Sequence, residues 1–173
     1  MNFLEKDLEE IIFTADKEKL SDRGLYFYPH EKLKRQVRIG NYGIADLVGI
    51  KKPFYHPIIK EKCKGQITVY ELKKDRISIS TFMQAANYLH GIKRYLTIKG
   101  YNESYDYCIR LIGKEIDSSS SFVYLPDLIT NHSYDETITR DSIFRLESYL
   151  YSYDIDGLRF DEINGFKLIN EGF

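Results

Sequence analysis

The chain has 173 residues, 43% of them apolar, and a net charge of −1; that length buries one core without staples and is that of one ordinary domain. Its two cysteines, Cys63 and Cys108, exclude a disulfide framework and a cysteine metal site, and read as reduced thiols of a cytoplasmic protein. No run approaches the ~20 apolar residues of a membrane span, and the acidic start MNFLEKDLEE lacks the apolar core of a signal peptide, so membrane and secreted classes are set aside.

Residues 2–19 predict a helix, with Asn2 as cap and Glu5 at the third helical position closing a capping box. Leu4, Leu8, Ile11 and Ile12 form its apolar stripe, and Glu5 and Glu9 stand beside that stripe one turn apart. A connection with Gly24 and Pro29 leads to residues 34–39, whose period-two alternation predicts a strand with Val37 and Ile39 inward. Gly40-Asn41-Tyr42-Gly43 supplies turn residues that tolerate positive φ. Residues 44–50 are the returning strand, apolar apart from Asp46 and glycine. An acid inside an apolar strand destabilises it unless the acid is paired or metal-bound.

Residues 51–66 form a long tip with two prolines and five lysines. The central strand, 67–73, ends in Glu71-Leu72-Lys73, and residues 74–80 link it to a helix over 81–96 capped by Ser80 or Thr81. Gln84 and Tyr88 share one flank of that helix. Residues 105–116 read as a strand, the serines at 118–121 as a loop, and 122–130 as a short helix or irregular. Residues 142–154 and 157–163 read as two strands around the Asp154-Ile155-Asp156-Gly157 turn, and the last ten residues as a fraying end.

Strand alternation puts Glu71 and Lys73 on one face and Leu72 on the other. The pair is either a surface ion pair worth ~0–1 kcal/mol or a metal ligand beside a cation that steadies an attacking water. Charge is unevenly spread: residues 31–99 carry 15 Lys+Arg against 5 Asp+Glu, and residues 100–173 carry 6 against 14. A basic middle suits a polyanion; it equally suits pairing with the acidic C-terminal third.

Helix, three strands, helix, strand, with Glu5 or Glu9 on the first helix, Gly43-Ile44-Ala45-Asp46 on the second strand, Glu71-Leu72-Lys73 on the third and Gln84 on the next helix, resembles the PD-(D/E)XK nuclease superfamily. The likeness covers roughly residues 2–112, and its DNA-repair and resolvase-like endonuclease branch is the nearest; Ala45 stands where the superfamily's name has proline. The resemblance implies a restriction-endonuclease-like α/β fold, a mixed central β-sheet flanked by helices (αβββαβ), with residues 117–173 extending the sheet of a single domain. It also implies a metal-dependent endonuclease that hydrolyses DNA phosphodiesters with Mg²⁺, for which Mn²⁺ substitutes. Asp46, Glu71 and the backbone carbonyl of Leu72 would then be the metal ligands, Lys73 would act on the attacking water, and Glu5 and Gln84 would support them. Lys34, Arg35, Arg38, Lys51, Lys52 and Lys74, with Lys32, are candidate phosphate contacts. DNA is the expected partner, and a homodimer suits the cutting of two strands. The competing expectation is a catalytically silent nucleic-acid-binding or protein-interaction module on the same fold.

Overall fold

The computed structural model describes residues 4–58, 60–117 and 144–163. Helix α1 (Glu5–Thr14) and the short α2 (Lys17–Asp22) precede strand β1 (Lys32–Arg38), a 3-10 turn (Gly40–Tyr42) and strand β2 (Ile44–Lys51). A small hairpin, β3 (Phe54–His56) and β4 (Glu61–Cys63), leads into β5 (Gly65–Leu72). Then come β6 (Arg76–Ile77), α3 (Ile79–Ile98), β7 (Tyr105–Gly113), β8 (Glu115–Ile116), β9 (Phe144–Asp154) and β10 (Gly157–Ile163).

Six strands form one mixed sheet in the order β1-β2-β5-β7-β9-β10. The β1–β2, β2–β5 and β9–β10 pairs are antiparallel, and β5–β7 and β7–β9 are parallel. Parallel neighbours need a crossover connection, and α3 supplies it between β5 and β7. This is the expected α/β arrangement of a mixed central sheet flanked by helices, with the C-terminal strands β9 and β10 extending it.

Helices cover both faces, so the central strand is buried along its whole length. On one face Ala85, Tyr88 and Leu89 of α3 pack on Val48, Ile67, Val69, Ile109 and Leu111. On the other, Leu8 and Ile12 of α1 and Leu20 of α2 pack on Leu47, Tyr70, Leu72, Ile112 and Tyr149. Each such fully buried aliphatic side chain contributes about 1.5–3 kcal/mol. Among the described residues no helix is long and apolar enough to cross a membrane.

Several expected boundaries move, each for a local reason. The helix expected over 2–19 is two helices, because Asp16 takes an extended backbone and its carboxylate accepts from the Glu18 N–H at 2.8 Å, starting a second helix. The first helix begins at Glu5, with Leu4 at the cap position and Asp7 accepting the Leu4 N–H at 2.9 Å; Glu5 is therefore its first residue, not its third. The long tip holds the β3–β4 hairpin, and the expected linker 74–80 holds β6, which pairs in parallel with β8. Helix α3 starts two residues early, at Ile79, because Ser78 rather than Ser80 or Thr81 is its cap. The readings for 118–121, 122–130 and the last ten residues, and the cap role of Asn2, lie outside the described residues.

Candidate active site

The site forms where β2 parts from its neighbours. The β1–β2 register steps from Arg35↔Leu47 to Val37↔Ala45, passing over Gln36 and Asp46. The β2–β5 register runs from Lys51↔Gln66 and ends at Leu47↔Tyr70, one step short of Asp46 and Glu71. Val48 and Val69, a paired couple in that register, sit in the α3-side core, and alternation puts Glu71 on their side; on β2 alternation fails between Leu47, in the α1-side core, and Ala45, in the α3-side core, and Asp46 lines a cleft with Glu5, Lys6 and Glu9 of α1. At the break the Asp46 carboxylate takes over a backbone group: its Oδ2 accepts the Leu72 N–H at 3.0 Å.

Glu71 and Lys73 share a face as alternation requires, and the Lys73 ammonium donates to Glu71 Oε1 at 2.9 Å. Glu71 is 1% exposed, and its second carboxylate oxygen is buried with no hydrogen-bond partner. Glu5 reaches the same strand end from α1, its Oε1 accepting the Lys74 N–H at 3.2 Å. Asp46, Glu71 and Lys73 thus meet at the C-terminal end of β5, with Glu5 on the residue just beyond it. A cleft of about 550 Å³ opens beside them, lined by Glu5, Lys6, Glu9, Arg35, Gln36 and Asp46.

The electrostatics follow from that crowding. Burial, the neighbouring Asp46 charge and the more distant Glu5 push the Glu71 carboxyl up to about 7 against the relief given by Lys73. Asp46 is also raised: burial outweighs the Leu72 hydrogen bond and Lys73, and Glu9 and Glu5 add to it. Burial acts to lower Lys73, but the hydrogen bond and charge of Glu71, with Glu5 and Asp46, hold it above its usual value. The acids therefore outnumber the positive charge facing them, which is the condition that a bound cation relieves. Among the described residues no three His, Cys, Asp or Glu side chains are gathered as a ready metal cage. The donor set instead fits a hydrated hard divalent ion, which takes one or two carboxylates and keeps several waters.

In comparisons with known proteins, no family model matches the chain, and no curated protein does. A solved chain from the EndoMS–dsDNA2 complex is similar, with a TM-score of 0.44 and 19% identity over 83% of this chain. The chain spans 44% of that one's length.

The other expected site residues lie as follows. Gln84 is exposed on α3 and gives its amide to the Tyr88 hydroxyl at 3.0 Å; it does not line the cleft. Tyr88 packs over Gly43, where an added Cβ would come within 2.8 Å of its ring and φ is +118°, so the glycine before β2 is needed for both space and backbone. Arg35 turns toward α1: its guanidinium donates to Glu9 at 3.0 Å and to Glu10 at 2.5 Å. Its charge is taken up there instead of being presented as an open phosphate contact. Lys34 and Arg38 border a second, apolar groove between β1 and α3. Lys51 lies over the Phe54 ring at 5.1 Å, Lys32 and Lys52 are exposed, and Lys74 offers its backbone N–H to Glu5.

Two features of the site's surroundings escape sequence reading. Glu9 is 4% exposed, with Arg35 on one carboxylate oxygen and the Gln36 amide on the other. Beneath β5, Tyr70 donates to the buried Glu31 carboxylate at 3.2 Å, and Arg110 donates to Glu147 at 2.5 and 2.8 Å and to the Tyr70 hydroxyl at 3.1 Å. Arg110 reaches β5 and β9 from β7, bracing the strand that carries Glu71. A lone acid or base inside an apolar run, such as Arg110 in YDYCIRLIG, is the signal that could have flagged it.

Proposed function

We propose that the chain is a metal-dependent endonuclease of the PD-(D/E)XK type, hydrolysing phosphodiester bonds of DNA. The observation that carries this reading is the meeting of Asp46, Glu71 and Lys73 where the β2–β5 ladder ends, with one Glu71 oxygen buried and unsatisfied. A surface ion pair needs no second acid beside it and leaves no orphaned carboxylate oxygen, since an unmade buried hydrogen bond costs about 1–3 kcal/mol.

In this reading Asp46, Glu71 and the Leu72 carbonyl would hold Mg²⁺, or Mn²⁺ in its place. The bound ion supplies charge neutralisation at the scissile phosphate and acidity to a water. Lys73, held beside Glu71 by a 2.9 Å hydrogen bond, orients the attacking water through its ammonium or neutralises the phosphate oxygen opposite it. Its raised pKa keeps it charged, so its role is electrostatic and orienting, not that of a general base. Asp46 is held in place by the Leu72 N–H, and Glu5 by the Lys74 N–H, so both carboxylates have backbone anchors on the same strand end. The assignment of DNA as substrate draws on the basic stretch 31–99.

The test is incubation of supercoiled, linear, single-stranded and branched DNA with Mg²⁺ or Mn²⁺, beside an Asp46→Ala control. Metal-dependent cutting by the wild type and none by the variant is expected. The same ions should raise the melting temperature of the wild type by mass action on the native state, and should not raise that of Asp46→Ala. Equal shifts in the two proteins would remove Asp46 from the metal site. Wild type that binds DNA and cuts no substrate would establish the silent binding module instead.

A further inference from the structure

Gln36 stands apart from every other residue of β1. Its φ is +49°, a left-handed backbone that residues other than glycine, asparagine and aspartate seldom adopt. It falls in the middle of a strand, at the point where the β1–β2 register passes over Gln36 and Asp46 together. No turn is made there: the register resumes unshifted at Val37↔Ala45. The unusual backbone therefore serves neither a reversal nor a slip of the strand; it falls where the strand pair exchanges faces, Leu33 and Leu47 packing in the α1-side core and Val37 and Ala45 in the α3-side core. What it accompanies is the direction of the side chain, which lines the cleft with Asp46 and Glu5 and donates its amide to Glu9 Oε2.

Glu9 is in turn fully engaged, with Arg35 Nε on its other oxygen at 3.0 Å and a side chain only 6% exposed. Glu9 lies one helical turn from Glu5, on the same flank of α1. Consecutive β1 residues, Arg35 and Gln36, thus grip one α1 carboxylate from two directions. An alternating strand turns neighbouring side chains to opposite faces; the left-handed residue is what lets both reach the same group.

We propose that Gln36 is a positioning residue of the candidate active site: out of the strand's alternation, it clamps Glu9 together with Arg35 and so fixes α1, with Glu5, over the cleft beside Asp46. The proposal rests on the nuclease reading for its chemistry, but its first readout does not require cleavage. Gln36 acts on no substrate atom itself. Its effect passes through Glu9 to the acids that face the ion.

The experiment compares wild type, Gln36→Gly, Glu9→Gln and the double variant, with Mn²⁺ alone as the probe. Glycine suits the left-handed backbone, so Gln36→Gly removes the amide without straining the strand, and any fall in its melting temperature in the absence of metal should come from the Glu9 oxygen left unpaired and disappear in the Glu9→Gln background. Its Mn²⁺ affinity should weaken by about 10–100-fold, the usual scale for losing a group that orients a ligand. Single-turnover cleavage should slow on the same scale, while DNA affinity measured in Ca²⁺ stays within about twofold of wild type, as expected for a group acting on the ion and the chemical step and not on the bulk of the DNA contacts. The double variant should be no worse than Glu9→Gln alone, because the two act as one unit. Gln36→Asn, which tolerates the same backbone and keeps an amide, should recover part of the loss.

Gln36→Gly that binds Mn²⁺ as wild type does would overturn the proposal and leave the nuclease reading standing. Fully additive losses in the double variant would also overturn it. A wild type that binds Mn²⁺ and cuts no DNA would sink the nuclease reading, while the Mn²⁺ titrations of the variants would still decide the role of Gln36. A wild type that binds no Mn²⁺ would overturn both.

Discussion

Glu71 and Lys73 are two residues apart, and their pairing at 2.9 Å is the plain consequence of strand alternation. What alternation does not convey is how unequal the pair is. Glu71 is buried and its carboxyl is raised to about 7, while Lys73 remains charged. A carboxyl held above its ordinary 4.5 binds protons better in the folded chain than in the unfolded one. The metal-free protein should therefore be most stable below about pH 4.5 as far as Glu71 is concerned, and should lose that contribution as pH rises through about 7. The loss is bounded at about 3 kcal/mol. Glu71→Gln should flatten the fall in urea midpoint between pH 5 and pH 8, and a variant as pH-sensitive as wild type would place the proton elsewhere. Saturating Mn²⁺ should flatten the same curve if Glu71 is a ligand. Lys73 makes the complementary case. If its ammonium acts in the transition state, Lys73→Ala should slow single-turnover cleavage by ~10²-fold or more, and DNA affinity in Ca²⁺ should change far less. Cleavage at the wild-type rate would remove Lys73 from the mechanism.

At the scale of elements, the strands β1, β2 and β5 were legible because they alternate or are continuously apolar and because Gly40 and Gly43, at φ +50° and +118°, mark the turn. The break of the first helix was not, since it depends on Asp16 choosing to cap a new helix over an otherwise continuous apolar stripe. Nor was the β3–β4 hairpin, whose lysines and flanking prolines hide any alternation. Of the site, the acid on β2 and the acid–lysine pair on β5 could be read, because each is an exception within its own strand. The engagement of Arg35 with Glu9 and Glu10 could not, because those partners lie about 25 residues away, and no local pattern distinguishes a solvated arginine from a committed one. Gln36 could not either: a left-handed residue is anticipated only where glycine or asparagine stands. The buried brace is testable as an element. Arg110 is 3% exposed and bonded to Glu147, the Tyr70 hydroxyl and the Tyr26 carbonyl. Arg110→Met takes the guanidinium from the part-buried Glu147, which keeps the Tyr28 hydroxyl, and should destabilise the protein by about 2–3 kcal/mol. Adding Glu147→Leu should recover part of that in urea unfolding; no recovery would mean that packing, not charge, is what the pair provides.

Over the whole molecule, the basic stretch and the acidic C-terminal third are joined at Arg76–Glu115, at 2.7 Å, and at Lys64–Asp106, at 3.9 Å. Arg35, also in the basic stretch, is consumed by acids of α1. The charge excess of residues 31–99 is therefore partly spent inside the fold, and the question is how much is left for a polyanion. Lys34 and Arg38 lie exposed on β1, an edge strand of the sheet, and Lys52 is exposed at the start of the tip. Each lysine or arginine that neutralises a phosphate of duplex DNA releases counterions and adds about −0.9 to the slope of log K against log salt. With Lys34, Arg38, Lys51, Lys52 and Lys74 all on phosphates, the slope should be about −4 to −5. Arg38→Ala should make it shallower by about one. Arg35→Ala should lower the melting temperature, since it frees Glu9 and Glu10, and should leave the slope where it was. Fluorescence anisotropy of labelled duplex in Ca²⁺ across a salt series measures all three. A flat wild-type slope would mean that the basic stretch is neutralised within the fold and that DNA is not its partner. A slope that drops equally for Arg35→Ala and Arg38→Ala would mean that Arg35 leaves its α1 partners for the nucleic acid on binding.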